Sequence, residues 1–431
     1  MLRKLIGPLA ALLCCSPAAA WADGAVYAMT NALGNNEVLV YHRAANGNLS
    51  LAQTIATGGG GSGLQLAGVD SLGSAGSIQL DAGHHFLFVV NTETAAENNG
   101  TGAYNTDCQQ GTITSFRIAS DGTLTFADRA FSGGLFPNSL TVKALRRSQD
   151  AGDQQGDGVS NTTDPLVDLL YVLNAGGPQP PAICHLTPDT ANTPNVTGFR
   201  VDTAGHLIPL DLTQPIDAGP ASAATGVSCT AAAAAGFAGL TGAPAADFQC
   251  GLNPPSFVRS PAQLRFSPNG TQLVVAVKGT NAIYVFPVNR DGTAGTPTIT
   301  QSSGALPTYF GMAFDRRGDL LITELFGSSF VIPVGARGAV SSFTITTDGH
   351  LGPISSDIAD GGTAACWIAL EPITGKFAYV SNNLSASISS YTVSTGGSLT
   401  LLNGTAGSGD GPGDLATAVE GTVSFLYVVD A

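Results

Sequence analysis

Along this chain, short runs of alternating apolar and polar residues are broken at regular intervals by Gly, Asn and Asp. Alternation with a period of two marks a strand with one buried face, and a glycine-centred break between two such runs marks a hairpin turn. Six copies of one strand and turn stand out: EVLVYHRAANGNLS (37–50), GTITSFRIASDGTLT (111–125), NVTGFRVDTAGHLI (195–208), NAIYVFPVNRDGTAG (281–295), GAVSSFTITTDGHLG (338–352) and ASISSYTVSTGGSLT (386–400). The fuller cassette has four strands. In its clearest copy AQLRFSP turns at Asn269 and Gly270, QLVVAVK and NAIYVFPV follow, and a short fourth strand comes after Asp291 and Gly292.

One such unit cannot bury its own apolar face, so copies must stack on each other. Antiparallel four-stranded units repeated radially make a β-propeller whose innermost strands line a central channel. The two-residue period excludes helical solenoid repeats. Second strands recur at VYAMTN (26–31), LFVVNTE (87–93), LYVLNAG (170–176), LVVAVKG (273–279), LLITELF (320–326), FAYVSNN (377–383) and FLYVVDA (425–431). The expected fold is therefore all-β, a seven-bladed β-propeller of four-stranded antiparallel blades with the last blade incomplete. The missing strands of blade seven, and the one that would close the ring, are expected beyond residue 431; the alternative is an unconventional closure of the ring.

The N-terminus departs from the repeat. Arg3 and Lys4 precede an apolar run from Leu5 to Leu13, and Ala20 and Ala22 flank Trp21 at the positions where small residues favour cleavage. Residues 1–22 thus read as a secretory signal, leaving 23–431 as a single propeller domain with loop insertions at 146–168, 176–194 and 215–256. No later stretch is long and apolar enough to span a bilayer as a helix. Without the signal, 15 basic side chains face 31 acidic ones, a net charge of −16. That field disfavours nucleic acid and anionic membranes as partners.

Five cysteines remain, and an exported protein is expected to oxidise some of them. Cys229 and Cys250 bracket the Ala/Gly-rich insertion and are the first candidates for a disulfide. No Cys/His spacing suggests zinc, and the aspartates of 146–168 match no defined calcium loop, so neither metal nor cofactor is expected.

The segment GSAGS (Gly73–Ser77), the strands PAQLRFSPNGTQLVVAVKGTNAIYVF and the recurring DGxL turns resemble the seven-bladed lactonase-type propellers. That family includes 6-phosphogluconolactonase-like proteins and 3-carboxymuconate cyclase-like proteins. The resemblance implies hydrolysis of a lactone, or cyclisation of a muconate-like carboxylate, at the channel mouth without a cofactor. It also implies a His at the head of an inner strand, an Arg-His pair at the next, and a Glu ending the strand that follows. Those places hold Ala262, then Thr308, Tyr309 and Phe310, then Glu324. Only the Glu is kept.

Residues closing the second strands are expected to converge on one face of the ring. They are Asn31, Asn91, Asn174, Lys278, Glu324, Asn382 and Asp430. Asparagine has a structural reading there, because it tolerates tight turns. Lys278 and Glu324, on neighbouring blades, are the sharpest constellation: a base and a cation for catalysis, or else a solvated bridge. Arg265 alternates with Leu264 and Phe266 on an innermost strand and completes the catalytic candidates. Arg259, Asn91, Asn174, Asn382 and Trp367 are the candidate substrate contacts, with core packing the other reading of Trp367. His84 and His85 fall in a hairpin turn and read as surface. The alternative function is a non-catalytic propeller that binds a small polar ligand or glycan.

Overall fold

A computed structural model describes residues 24–32, 34–62, 72–92, 111–145, 166–176, 194–216, 260–278, 280–302, 308–325 and 337–430. Among them every regular element is a strand. Blade one has three strands, β1 (Gly24–Met29), β2 (Glu37–Arg43) and β3 (Leu49–Ala56). Five four-stranded blades follow. Blade two holds β4 (Ile78–Asp81), β5 (Phe86–Asn91), β6 (Thr112–Ile118) and β7 (Leu124–Phe131). Blade three holds β8 (Pro137–Ala144), β9 (Leu166–Asn174), β10 (Asn195–Asp202) and β11 (Leu207–Pro215). Blade four holds β12 (Pro261–Phe266), β13 (Gln272–Val277), β14 (Ala282–Pro287) and β15 (Thr298–Gln301). Blade five holds β16 (Thr308–Phe314), β17 (Leu320–Leu325), β18 (Gly338–Ile345) and β19 (Leu351–Ala359). Blade six holds β20 (Ala365–Leu370), β21 (Phe377–Asn382), β22 (Ser387–Val393) and β23 (Leu399–Ser408). A hairpin of β24 (Leu415–Glu420) and β25 (Val423–Val428) is a partial seventh. The expected four-stranded blades thus hold for five sheets, the last is incomplete as expected, and the first has three strands instead of four.

Within each sheet the strands pair antiparallel in chain order, and the first strands β4, β8, β12, β16, β20 and β24 touch one another from blade to blade. They form the inner wall. Alternation along the second strands sends side chains to two different neighbours. Phe86, Phe88 and Val90 pack toward blade three, whereas Leu87 and Val89 pack toward blade one. Central strands buried on both faces therefore read as nearly continuous apolar runs, as in β5 and β13.

A side-chain hook recurs between blades. The hydroxyl of Tyr27 donates to the carbonyl of Gly122 in the next blade, and Tyr171 does the same to Gly292, at 2.8 and 2.7 Å. Tyr171 sits in the second strand of its blade and Tyr27 in β1, which the sequence repeat aligns with the second strands, and both glycines sit in the turn between third and fourth strands with left-handed φ values of 83° and 86°. A side chain there would be strained, so the turn needs glycine. Tyr427 of the last hairpin hooks Gly47 of blade one at 3.0 Å in the same way. Arg43 adds a 3.1 Å ion pair with Glu420, so the last hairpin sits beside the first blade as any neighbour would.

Candidate functional site

The ends of the second strands do lie at one face, but their side chains are used inside the blades. Asn91, Asn174 and Asn382 are all buried, each in register with the first residue of the third strand. The Asn91 amide donates to Thr112 and Thr114 at 3.1 and 3.0 Å, and its oxygen accepts from Asn36 and Thr57. Asn174 donates to the Ser132 carbonyl and the Asn195 side chain, and Asn382 donates to Ser389 at 2.6 Å. These amides clip strand to strand, which places them away from the expected role of substrate contacts.

Glu324 occupies the same place in blade five, opposite Ala339 of β18. It is 1% exposed, takes a hydrogen bond from Ser341, and lies beside Asp357 of β19. Burial pushes its carboxyl up to about 8; the Ser341 bond opposes this and the Asp357 charge adds to it. Its Oε2 is buried without a hydrogen-bond partner.

Lys278 and Glu324 do face the same seam: Val274 and Ala276, on the Lys278 side of β13, pack against Leu320 and Ile322, on the Glu324 side of β17. The expected pairing does not form among the described residues. The Lys278 ammonium donates to the Gly73 carbonyl and lies 5.0 Å from the centre of the Phe310 ring. Trp367 is 2% exposed, packs edge-on against Phe310 at 5.2 Å, and donates from Nε1 to the Ser74 carbonyl at 3.0 Å.

Both residues therefore serve one feature, a buried segment that leads into β4. The carbonyls of Gly73, Ser74, Ala75 and Gly76 accept in turn from Lys278, Trp367, the Ser139 hydroxyl and the Leu140 amide. The Ala75 amide donates to Ala262, and the Gly76 amide donates to Asp414. These partners belong to blades three, four and six and to the partial seventh, while the segment itself belongs to blade two. To reach them all it must cross the axis, where it stoppers one end of the channel. Small side chains let the backbone pass, and every carbonyl along it is satisfied, as a buried polar segment requires.

Below the stopper lie two charges. Arg265 sits deep within the ring yet is open to water, the condition of a side chain lining an axial channel. Its Nη1 donates to the Met312 carbonyl at 2.9 Å, and the neighbouring Gln263 accepts from the Met312 amide. Enclosure lowers its pKa, and the charge of Asp414 offsets part of that. Asp414 stands just before β24 and accepts from the Leu415 amide at 2.8 Å. Enclosure raises its pKa against the pull of the Leu415 and Gly76 amides and of Arg265. Sequence reasoning passed over Asp414 because it weighed the ends of second strands. The available signal was its position at the head of an inner strand.

Arg259, Cys229, Cys250, residues 1–22 and most of the three insertions lie outside the described residues. Among the described residues the one cysteine is Cys366, which is buried. No helix among them is long and apolar enough to cross a membrane.

The antiparallel blades set radially around an inner wall of first strands define a β-propeller. Solved structures resemble it on that level. A protein from Lactobacillus plantarum superposes with a TM-score of 0.50 and 17% identity over 88% of this chain and 81% of that one. The periplasmic gluconolactonase of Pseudomonas aeruginosa gives 0.40 and 14% over 88% and 94%, and virginiamycin B lyase from Staphylococcus aureus gives 0.41 and 10% over 94% and 92%. No family model matches the chain, and no curated protein matches it in sequence. The first of these likenesses, at 17% identity, shows the fold alone and leaves the chemistry to the site.

Proposed function

We propose that this chain is an exported seven-bladed propeller of the lactonase type whose small-molecule site is the axial channel around Arg265 and Asp414. The observation that carries the reading is a guanidinium and a carboxyl sharing a water-reachable space at the centre of the fold. Enclosure makes Asp414 a stronger base than a surface aspartate, provided it is ionised. It would take a proton from the attacking water as the new C–O bond forms at the lactone carbonyl. Arg265 would hold the oxyanion. Collapse breaks the ring C–O bond, Asp414 returns the proton to the departing alkoxide, and a hydroxy acid leaves. Base catalysis of this kind is worth roughly 10²–10⁴-fold, and an oriented cation a comparable factor. In this reading Glu324 is a strand clip, mostly protonated at neutral pH, while Lys278 and Trp367 hold the stopper.

A second reading has its own support. Ala262 and the stretch from Thr308 to Phe310 stand where the family resemblance implies a His and an Arg-His pair, and Ala262 and Phe310 are packed against the stopper or its anchors. A propeller that binds a small anion at Arg265 without turning it over fits that loss. Hydrolysis of a panel of sugar lactones by wild type and Asp414→Asn separates the two. The lactonase reading expects turnover that falls at least about 100-fold in the variant. Undiminished turnover in folded Asp414→Asn would end that reading, and saturable binding of a sugar acid without turnover would establish the second.

A further inference from the structure

A separate cluster lies at the hairpin end of blade two. Asp81 closes β4, His84 sits in the turn to β5, and Asp168 belongs to β9 of blade three. His84, expected at the surface, is instead half-buried. Its Nδ1 lies 2.9 Å from Asp81 Oδ2 and 2.8 Å from Asp168 Oδ1. The turn fixes Asp81, whose Oδ1 accepts from the Gly83 amide at 3.0 Å and whose Oδ2 accepts from the His84 amide at 3.2 Å. One donor atom from each of the three side chains falls within 4.8 Å of the others.

Hydrogen bonding within the triad leaves it incomplete. A ring nitrogen carries one proton, so Nδ1 cannot fully satisfy two carboxylates. Asp168 is wholly buried and aimed into the cluster through Oδ1, yet its Oδ2 has no hydrogen-bond partner. A bare carboxylate oxygen in the interior is costly, and a buried carboxylate facing another needs a proton or a cation between them. Consistent with that deficit, burial and then the Asp81 charge push the Asp168 carboxyl up to about 7 despite His84.

We propose that Asp81, His84 and Asp168 form a divalent-cation site of the zinc or manganese type that clips blade two to blade three. On a coordination sphere of about 2.1 Å, ligand atoms stand about 3.0 Å apart at right angles and about 3.4 Å apart at the tetrahedral angle, so small outward shifts from the 2.8 and 2.9 Å spacings to Nδ1 would admit an ion. An imidazole with two carboxylates suits a first-row transition ion, whereas calcium takes oxygen ligands. The site stands clear of Arg265 and Asp414 and does not depend on the channel chemistry.

The test is metal-free full-length protein, prepared with a chelator and titrated by calorimetry with Zn²⁺, Mn²⁺ and Ca²⁺, with melting followed in parallel. One Zn²⁺ or Mn²⁺ per chain is expected. The melting temperature should rise by about 3–5 °C at a hundredfold excess over Kd, with no response to Ca²⁺. Asp168→Asn should lose both signals. Because that site is buried, His84→Ala, on an accessible turn, serves as the second variant and should lose them with the fold intact. Absence of Zn²⁺ and Mn²⁺ binding in wild type, or wild-type affinity in His84→Ala, would overturn the proposal.

Discussion

Blades two, three and six place an asparagine where blade five places Glu324, at the end of the second strand and opposite the start of the third. The amides donate to hydroxyls, a carbonyl or another amide on adjoining segments and carry no charge inward. The carboxyl in the same socket meets Ser341 and a second acid, Asp357, and must stay largely protonated to remain there. The same backbone position is thus a neutral clip in three blades and a titrating group in one. Position in a repeat fixes where a side chain starts, and its partners decide what it does.

The largest effect at any single pH should come from breaking an amide clip. Asn91→Ala would remove its four hydrogen bonds with Thr112, Thr114, Thr57 and Asn36 from a buried site, at a cost of about 2–4 kcal/mol. Urea unfolding with an unchanged slope would show it; a loss below about 1 kcal/mol would mean that water replaces the clip.

Glu324→Gln sharpens the same comparison by converting the acid into the amide of the other blades. A carboxyl with a raised folded pKa contributes stability that is fully present below its unfolded pKa, near 4.5, and lost as pH rises through about 8. Wild type should lose up to about 1.4 kcal/mol per pH unit across that window from this group, and the variant should lack that slope. Parallel stability profiles for the two proteins at pH 5 and pH 8 would contradict the assignment.

The smallest effect should come from Tyr427→Phe, which removes the hook onto Gly47 at the seam of first and last sheets. About 1 kcal/mol is expected, with amide exchange quickening first in β1 and β25. Equal quickening around the whole ring would mean that this seam has no independence.

The fold was legible because alternation and glycine turns are local signals, and the repeat converts local signals into a ring. The placement of Lys278 and Glu324 on facing sides of one seam was legible for the same reason. Their partners were not. Lys278 is claimed by a carbonyl 205 residues away, and periodicity carries no trace of such a contact. His84 was misplaced likewise, since Asp168 lies 84 residues on. The segment Gly73–Ser77 stood out as a motif, but nothing in its composition says that it crosses the axis. Asp414 stands at the head of an inner strand, the end of the cassette that the recurring strand-and-turn pattern does not mark.

The stopper also bears on how the ring comes apart. Because one short stretch of backbone is bonded to partners on several sides of the axis, it acts as a keystone. A blade swinging outward must pull its donor off that stretch or drag the opposite wall with it. Unfolding should therefore be concerted across the ring, and the amide hydrogens of Ala75 and Gly76 should exchange only when the whole molecule opens.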